Sequence, residues 1–443
     1  MAITARQLAL QALVRIQRDA SYSNLTLDAA LSRSRLPERD AALAAALVYG
    51  VQERLLTIDY QLSLYLRQPL KKLRPEVLAA LRLGVCQLLF MDKIPASAAV
   101  GESVSLVKNN GCAFAAGLVN AVLHKIEAAG LQLPDAQQGE AYALSIRYSF
   151  PEWLIQKWSS AYGPAAALAI LEACEEPAPL TIRVNTLRTS VQELMRLLQE
   201  EGVEASPVPG LADALTLEKN GAIERLDAYR QGLFHVQDAA SQLCCKAVEA
   251  QPGETVFDLC AAPGGKSFTL AQRMQGKGRV RSFDLYPART ALITQGAQRL
   301  GLAAVHPEVA DATCHRPSLG KAARVLCDVP CSGFGIARRK PEIRYKTGPE
   351  VDKLPALQYL ILCNASNYVQ KGGRLVYSTC TLNPEENEAV CGRFLQEHPS
   401  FRPAPVLPEL AQGRRDACGF LTLFPQAGGH DGFYIAAFQE VSV

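Results

Sequence analysis

Asp258-Leu-Cys-Ala-Ala-Pro-Gly-Gly-Lys266 decides how this chain is read. The apolar run Thr255–Leu259 reads as a buried strand, Gly264-Gly265 as a tight turn, and the residues after that turn as a helix. Strand, glycine turn and helix in that order make the ligand corner of a doubly wound sheet, where ligands sit at the carboxyl ends of the strands. Glycines there let backbone approach a ligand closely. The segment is not the dinucleotide pattern Gly-x-Gly-x-x-Gly. Nor is it a phosphate loop, because Cys260 stands where that loop needs its first glycine.

Outward from this corner, Val280–Leu285, Arg324–Val329 and Arg374–Ser378 are further apolar runs, with helical stretches between them. Such alternation predicts a parallel sheet covered on both faces from about residue 245 onward. Asp284 ends the second run, and Asp311 ends another in Val309-Ala-Asp-Ala. Either carboxylate alone could cap a helix. Together with Asp258 they form three acidic strand ends, suited to the ribose hydroxyls and amino group of an adenosine-bearing ligand. Phe420–Leu423 and Phe433–Phe438 flank Gly428-Gly-His-Asp-Gly432 and read as a hairpin.

Two more segments place a cysteine just past a strand. They are Asp328-Val-Pro-Cys-Ser-Gly-Phe-Gly335, with Cys331, and Ser378-Thr-Cys-Thr-Leu-Asn-Pro-Glu-Glu-Asn387, with Cys380. A lone cysteine is usually a small buried hydrophobe. That reading serves Cys86, Cys112, Cys174, Cys244, Cys245, Cys314, Cys327, Cys363, Cys391 and Cys418. Cysteines at sheet carboxyl ends near helix N-termini are instead candidate nucleophiles with lowered pKa. The cysteine count is 13, odd, and there is no Cys-x-x-Cys, so neither a disulfide framework nor a zinc ribbon is expected, and no metal.

The rest of the 443 residues supports a multidomain chain. Residues 1–140 read as helix after helix, opening with the capping box Thr4-Ala5-Arg6-Gln7. Residues 141–238 mix strands (Leu180–Asn185, Ala214–Leu217, Leu233–Val236) with the helix Val191–Glu201, a small α+β unit. Residues 239–443 form the α/β domain. Hydrophobic residues make up 49% and charged residues 20%, which excludes bulk disorder. The net charge of +3 is uneven: residues 1–135 carry +4 and the remainder −1. A modest basic excess on the helical part suits RNA binding. Lys71-Lys72 with Arg74 is one candidate cluster, and Arg338-Arg339-Lys340 with Arg344, Tyr345 and Lys346 is a candidate RNA-facing rim. His235 reads as structural. No apolar signal core and no membrane-length stretch is seen, so a cytoplasmic protein is expected.

The three loop motifs resemble those of RNA cytosine-C5 methyltransferases, and the helical part resembles a NusB-like RNA-binding domain. The combination is similar to the Fmu/Sun family of ribosomal RNA methyltransferases along almost the whole chain. The resemblance implies a class I, Rossmann-like methyltransferase domain that takes S-adenosyl-L-methionine. It implies cofactor contacts at Cys260, Ala261, Ala262, Pro263, Gly264, Gly265, Lys266, Asp284, Asp311 and Asp328. It makes Cys380 the nucleophile, Cys331 the helper in release, and Asp328 a catalytic partner of the base. It also implies a cytosine of 16S ribosomal RNA as target; a monomer is expected. Spacing alone does not choose which cysteine attacks. A transfer RNA or DNA methyltransferase, an RNA-binding protein built on this scaffold, and a nicotinamide oxidoreductase are the rival readings.

Overall fold

The computed structural model describes residues 3–441 apart from 20–22, 35, 136, 138, 219–222, 347 and 427. Its N-terminal part is helical: Ala5–Asp19 (α1), Ser23–Arg33 (α2), Glu38–Glu53 (α3), Leu55–Tyr65 (α4), Pro75–Phe90 (α5), Ala96–Asn109 (α6) and Ala116–Ala129 (α7). The Thr4 hydroxyl accepts from Gln7 N at 3.2 Å, so half of the predicted capping box forms. The Gln7 side chain reaches Asn110 Oδ1 instead, at 2.9 Å. Helix α5 begins on a proline, tolerated there because the first turn donates no intrahelical bond. It is apolar nearly all round, and Val77–Leu81 and Leu83–Gln87 are buried, so it forms the centre about which the others pack.

Three more helices come next: Glu140–Tyr148 (α8), Glu152–Tyr162 (α9) and Pro164–Ala173 (α10). The contacts divide the chain into two compact units, Met1–Glu175 with Ala337–Tyr345, and Glu176–Ile336 with Lys346–Val443. Helices α8–α10 thus pack in the helical unit, although the sequence reading groups them with the α+β part. The reason is α4, which offers α8 specific partners. Thr57 Oγ1 donates to Ile146 O at 2.5 Å, Leu56 N donates to Ser149 Oγ at 2.9 Å, and Tyr60 meets Tyr142 edge-on.

The segment Ala337–Tyr345 corrects the expected RNA-facing rim. Arg344 is buried, with Nη1 donating to Glu53 O at 2.8 Å and its guanidinium 4.3 Å from the Phe150 ring centre. The Tyr345 hydroxyl bonds Ser149 Oγ at 2.9 Å, and Arg338 is buried too. Arg344 and Tyr345 serve the helical unit's interior. Lys340, Lys71, Lys72 and Arg74 are exposed.

In the second unit, Leu180–Val184 (β1), Val191–Glu200 (α11), Glu204–Pro207 (β2), Ala214–Glu218 (β3), Asp227–Arg230 (α12) and Phe234–Val236 (β4) come first. The four strands form an antiparallel sheet in the order β2-β3-β1-β4. Helix α11 is capped by Ser190, whose hydroxyl accepts from Glu193 N, and it buries Leu194 and Leu198.

The rest comprises Ala239–Ala247 (α13), Thr255–Asp258 (β5), Gly265–Arg273 (α14), Arg279–Asp284 (β6), Pro287–Leu300 (α15), Val305–Val309 (β7), Ala322–Asp328 (β8), Pro349–Asp352 (α16), Leu354–Ser366 (α17), Val369–Thr379 (β9), Glu388–Glu397 (α18), Phe401–Pro403 (β10), Arg414–Arg415 (β11), Leu421–Leu423 (β12) and Phe433–Glu440 (β13). The sheet runs β11-β12-β13-β9-β8-β5-β6-β7, with β10 on β13. Strands β7, β6, β5, β8 and β9 are parallel, as the continuous apolar runs predict. The hairpin β12–β13 forms as read, and β13 pairs antiparallel with β9, making the sheet mixed. Chain order reverses between β5 and β8, the switch point where doubly wound sheets bind ligands.

Candidate active site

Strand β5 delivers Asp258 to that switch point. The carboxylate is fully buried: Oδ2 accepts from Ser267 Oγ at 2.7 Å, and Ser282 Oγ donates to Ser267 at the same distance. Burial pushes Asp258 up to about 7. Its Oδ1 is buried with no hydrogen-bond donor among the described residues. The chain then turns at Gly264, whose φ is +112°. A Cβ there would lie 2.3 Å from the Phe268 ring, so only glycine fits. Helix α14 starts immediately, with first-turn N–H groups that lack intrahelical acceptors.

A cleft of about 260 Å³ opens here. Cys260, Ala261, Ala262, Pro263, Gly265, Lys266, Asp328 and Cys380 line it, while Gly264 turns behind the lining. Asp284 is buried on the next strand end: Oδ2 accepts from Ala262 N at 3.3 Å and Oδ1 from Tyr286 N at 3.2 Å. It braces the glycine loop from behind. Asp311 is not among the lining residues. It closes its own turn, with Oδ1 taking Thr313 N and Oγ1 at 2.8 and 2.7 Å, and these bonds hold its carboxyl below the usual range. His235 is buried, 3.4 Å from Thr269 Oγ1, and burial with nearby arginines lowers it to about 3, so it is a neutral ring.

Strand β8 brings Asp328 beside the cleft, in register with Ser378 of β9. Asp328 Oδ1 accepts from Ser378 Oγ at 2.8 Å, and Oδ2 pairs with Lys266 Nζ at 2.7 Å. Burial alone would lower the Lys266 pKa, but the Asp328 charge and hydrogen bond, with Cys244 and Cys245 beside them, together outweigh it and the ammonium is retained. The parallel pairing β8–β9 also brings the two cysteine loops together. Cys331 Sγ and Cys380 Sγ lie 3.4 Å apart, although 49 residues separate them. Cys380 faces the cleft. The adjacent Cys380 sulfur, with burial behind it, raises the Cys331 thiol well above its ordinary value.

Sequence reasoning missed several residues that the tertiary structure adds. Gln237, Asp238, Asp431 and Phe433 line the cleft. Asp431 sits in the turn of the β12–β13 hairpin, but nothing local signals that the turn folds back onto the cleft. Gly335 and Gly432 touch backbone to backbone, with Gly335 N donating to Cys380 O at 3.0 Å. Glu386 is buried behind both cysteines and accepts from Ser332 N at 2.9 Å.

Residues 245–439 match the model of the 16S rRNA methyltransferase RsmB/F family. Residues 3–128 match the NusB family, and 150–224 the ferredoxin-like domain of RsmF/B-like methyltransferases. The chain is 37% identical to the probable ribosomal RNA small subunit methyltransferase B of Bacillus subtilis, covering 99% of both chains. The chain belongs to the RsmB/F family. A second member, ribosomal RNA small subunit methyltransferase B of Thermus thermophilus, is 37% identical over 99% of this chain and 98% of its own. The crystal structure of PH0851 superposes with a TM-score of 0.82 at 26% identity, covering 99% of this chain and 100% of that one. The RsmB/F match takes in all three loop motifs, from Asp258 to Asn387. The NusB match covers α1 to α7 almost to its end.

Proposed function

We propose that this chain transfers the methyl group of S-adenosylmethionine to carbon 5 of a cytosine in 16S ribosomal RNA, through a covalent Cys380–carbon 6 adduct. The carrying observation is the pair of sulfurs 3.4 Å apart at the carboxyl ends of neighbouring strands, one of them on the cleft. The cleft residues fit the cofactor. The donor-free Asp258 Oδ1 suits its ammonium, the first turn of α14 suits its carboxylate, and the acidic end of β6 lies near by. When bound, S-adenosylmethionine supplies an electrophilic methyl on a sulfonium. The other site contacts resting on the family resemblance, Asp311 among them, belong to the same proposal.

The protein's own groups do the rest. Carbon 5 of cytosine is a weak nucleophile until a thiolate adds to carbon 6. Cys380 loses its proton to solvent and forms that S–C6 bond, with Cys331 donating a hydrogen bond to its sulfur beforehand. The ring nitrogen takes a proton from solvent as the adduct forms, and Asp328, held by Lys266 and Ser378, accepts a hydrogen bond from that protonated nitrogen and stabilises the adduct. Once Cys380 is a thioether, the main cause of the high Cys331 pKa is gone. Cys331 can then lose its proton to solvent and take the carbon-5 proton, as the S–C6 bond breaks and returns its electrons to Cys380. The target base must leave its stack to enter. The NusB-like part, with exposed Lys71, Lys72 and Arg74, contributes RNA affinity. The enzyme acts in the cytoplasm as a monomer.

The test is a denaturing gel of protein mixed with 16S ribosomal RNA and S-adenosylmethionine. Cys331→Ala is expected to accumulate a protein–RNA adduct, and Cys380→Ala none. An adduct with Cys380→Ala alone reverses the roles. No adduct, and no methyl transfer by the wild type, discards the substrate.

A further inference from the structure

Glu386 is a fully buried carboxylate that the reaction above leaves unused. Its oxygens take four donors, all neutral. Oε2 accepts from Ser332 N at 2.9 Å and Gln358 Nε2 at 2.8 Å; Oε1 accepts from Ser332 Oγ at 2.5 Å and Asn383 Nδ2 at 2.8 Å. Ser332 directly follows Cys331, and Asn383 lies in the loop of Cys380. Gln358 stands on α17 and also donates to Pro330 O at 2.8 Å. Ser332 Oγ further bonds Thr381 Oγ1 at 2.7 Å, and Tyr377 of β9 holds the Glu386 carbonyl. Three separate stretches of chain therefore converge on one side chain.

Burying a carboxylate with neutral partners is unfavourable unless its lone pairs are filled, and here they are. Apolar packing would join the loops at lower cost, so the charge calls for a reason. The sulfur pair supplies one. We propose that Glu386 is a positioning residue of the methyl-transfer site: its carboxylate ties the Cys331 loop to the Cys380 loop and keeps the two sulfurs in contact. The proposal rests on the two-cysteine reaction above for its purpose, and on the hydrogen bonds alone for its geometry. The charge has a second effect. After Cys380 and burial, Glu386 is a further cause of the raised Cys331 pKa, so it favours the thiol before attack.

The test uses the full chain with Glu386→Gln and Ser332→Ala. Diamide oxidises neighbouring thiols, forming the S–S bond while both protons and two electrons reduce the reagent. Disulfide formation between Cys331 and Cys380, followed by peptide mass spectrometry, therefore reports whether the sulfurs meet. The wild type is expected to crosslink. Glu386→Gln turns an amide N–H₂ toward existing donors and should crosslink about 10-fold more slowly, with Ser332→Ala between the two. In a Cys380→Ala background, Glu386→Gln should also move the pH midpoint of Cys331 alkylation by iodoacetamide downward. The methyl-transfer kcat of Glu386→Gln should fall about 100-fold with the RNA KM within about 3-fold. Crosslinking at the wild-type rate with an unmoved midpoint overturns the proposal. If Glu386→Gln does not fold, a wild-type crosslinking rate in Ser332→Ala overturns it equally. Neither thiol reading needs RNA or cofactor. They decide the role of Glu386 even if the wild type methylates no 16S ribosomal RNA, a result that would instead overturn the reaction.

Discussion

Gly335→Ala adds a single methyl group where three backbone segments cross, and it should nearly silence the enzyme without removing any reactive group. A Cβ at this position would sit 2.2 Å from the Gly432 carbonyl oxygen, 2.6 Å from that carbonyl carbon and 2.9 Å from the Cys380 carbonyl oxygen. Carbon–oxygen contacts settle at about 3.3 Å, so the segments must part by roughly 1 Å. Every crowding atom is backbone, and no rotamer change clears it. Gly335 N donates to Cys380 O at 3.0 Å, and Gly432 N to Gly335 O at 2.9 Å, which passes the displacement to the Cys380 loop. A misplacement of 1 Å costs on the order of 10²-fold in rate, or about 2.7 kcal/mol. Among the described residues the Gly335 backbone bonds run to Cys380 and Gly432 and not to the glycine loop Cys260–Lys266, so cofactor affinity should stay within about 3-fold of wild type. The assay is single-turnover transfer of labelled methyl into 16S ribosomal RNA, with a calorimetric S-adenosylmethionine titration beside it. A rate within about 3-fold of wild type would refute the reasoning. A matching loss of cofactor affinity would show general disruption rather than a moved Cys380.

Three further expectations concern stability. Gly264→Ala meets both a φ of +112° and the Phe268 ring at 2.3 Å, and should lower unfolding stability by about 2–3 kcal/mol, read from the urea midpoint; an unmoved midpoint contradicts the cramped turn. Asp258 is raised to about 7 in the fold against about 3.9 unfolded, so its protonated form adds stability that is complete below about pH 3.9 and lost as pH rises through 7. The stability of Asp258→Asn relative to wild type should therefore grow by about 2–3 kcal/mol between pH 5 and pH 8, and a pH-independent difference would mean that the carboxyl is ionised throughout. Arg344→Ala loses a buried hydrogen bond to Glu53 O and the stack on Phe150, and should cost about 2–3 kcal/mol in a melting experiment; a reduced salt slope of RNA binding would instead return Arg344 to the RNA-facing rim.

The three loop motifs are readable because each is local: a strand, a turn that needs glycine or proline, and a reactive side chain, all within ten residues. The hairpin Leu421–Leu423 with Phe433–Glu440 is readable for the same reason. The basic run after Cys331 misleads because charge alone does not report burial. Arg344 finds carbonyls and an aromatic face in α3, α8 and the Phe150 turn, and these partners offset the cost of burying it. The packing of α8–α10 in the helical unit is not legible either, because helical periodicity gives a face and not its partner.

The chain's sequence by itself determined the α/β alternation, the glycine corner at Asp258–Lys266 and the identity of the two cysteines, since these follow from local propensity and turn chemistry. Tertiary structure alone decided what those parts do to one another. The strand order places β8 beside both β5 and β9, and so brings Asp328 to Lys266 and Cys331 to Cys380. It puts β13 on β9 in the opposite direction, which carries Asp431 to the cleft. It also gathers Ser332, Gln358 and Asn383 on Glu386. Each of these pairings depends on sheet register and on which apolar faces meet across the core, and neither is written in any window of neighbouring residues.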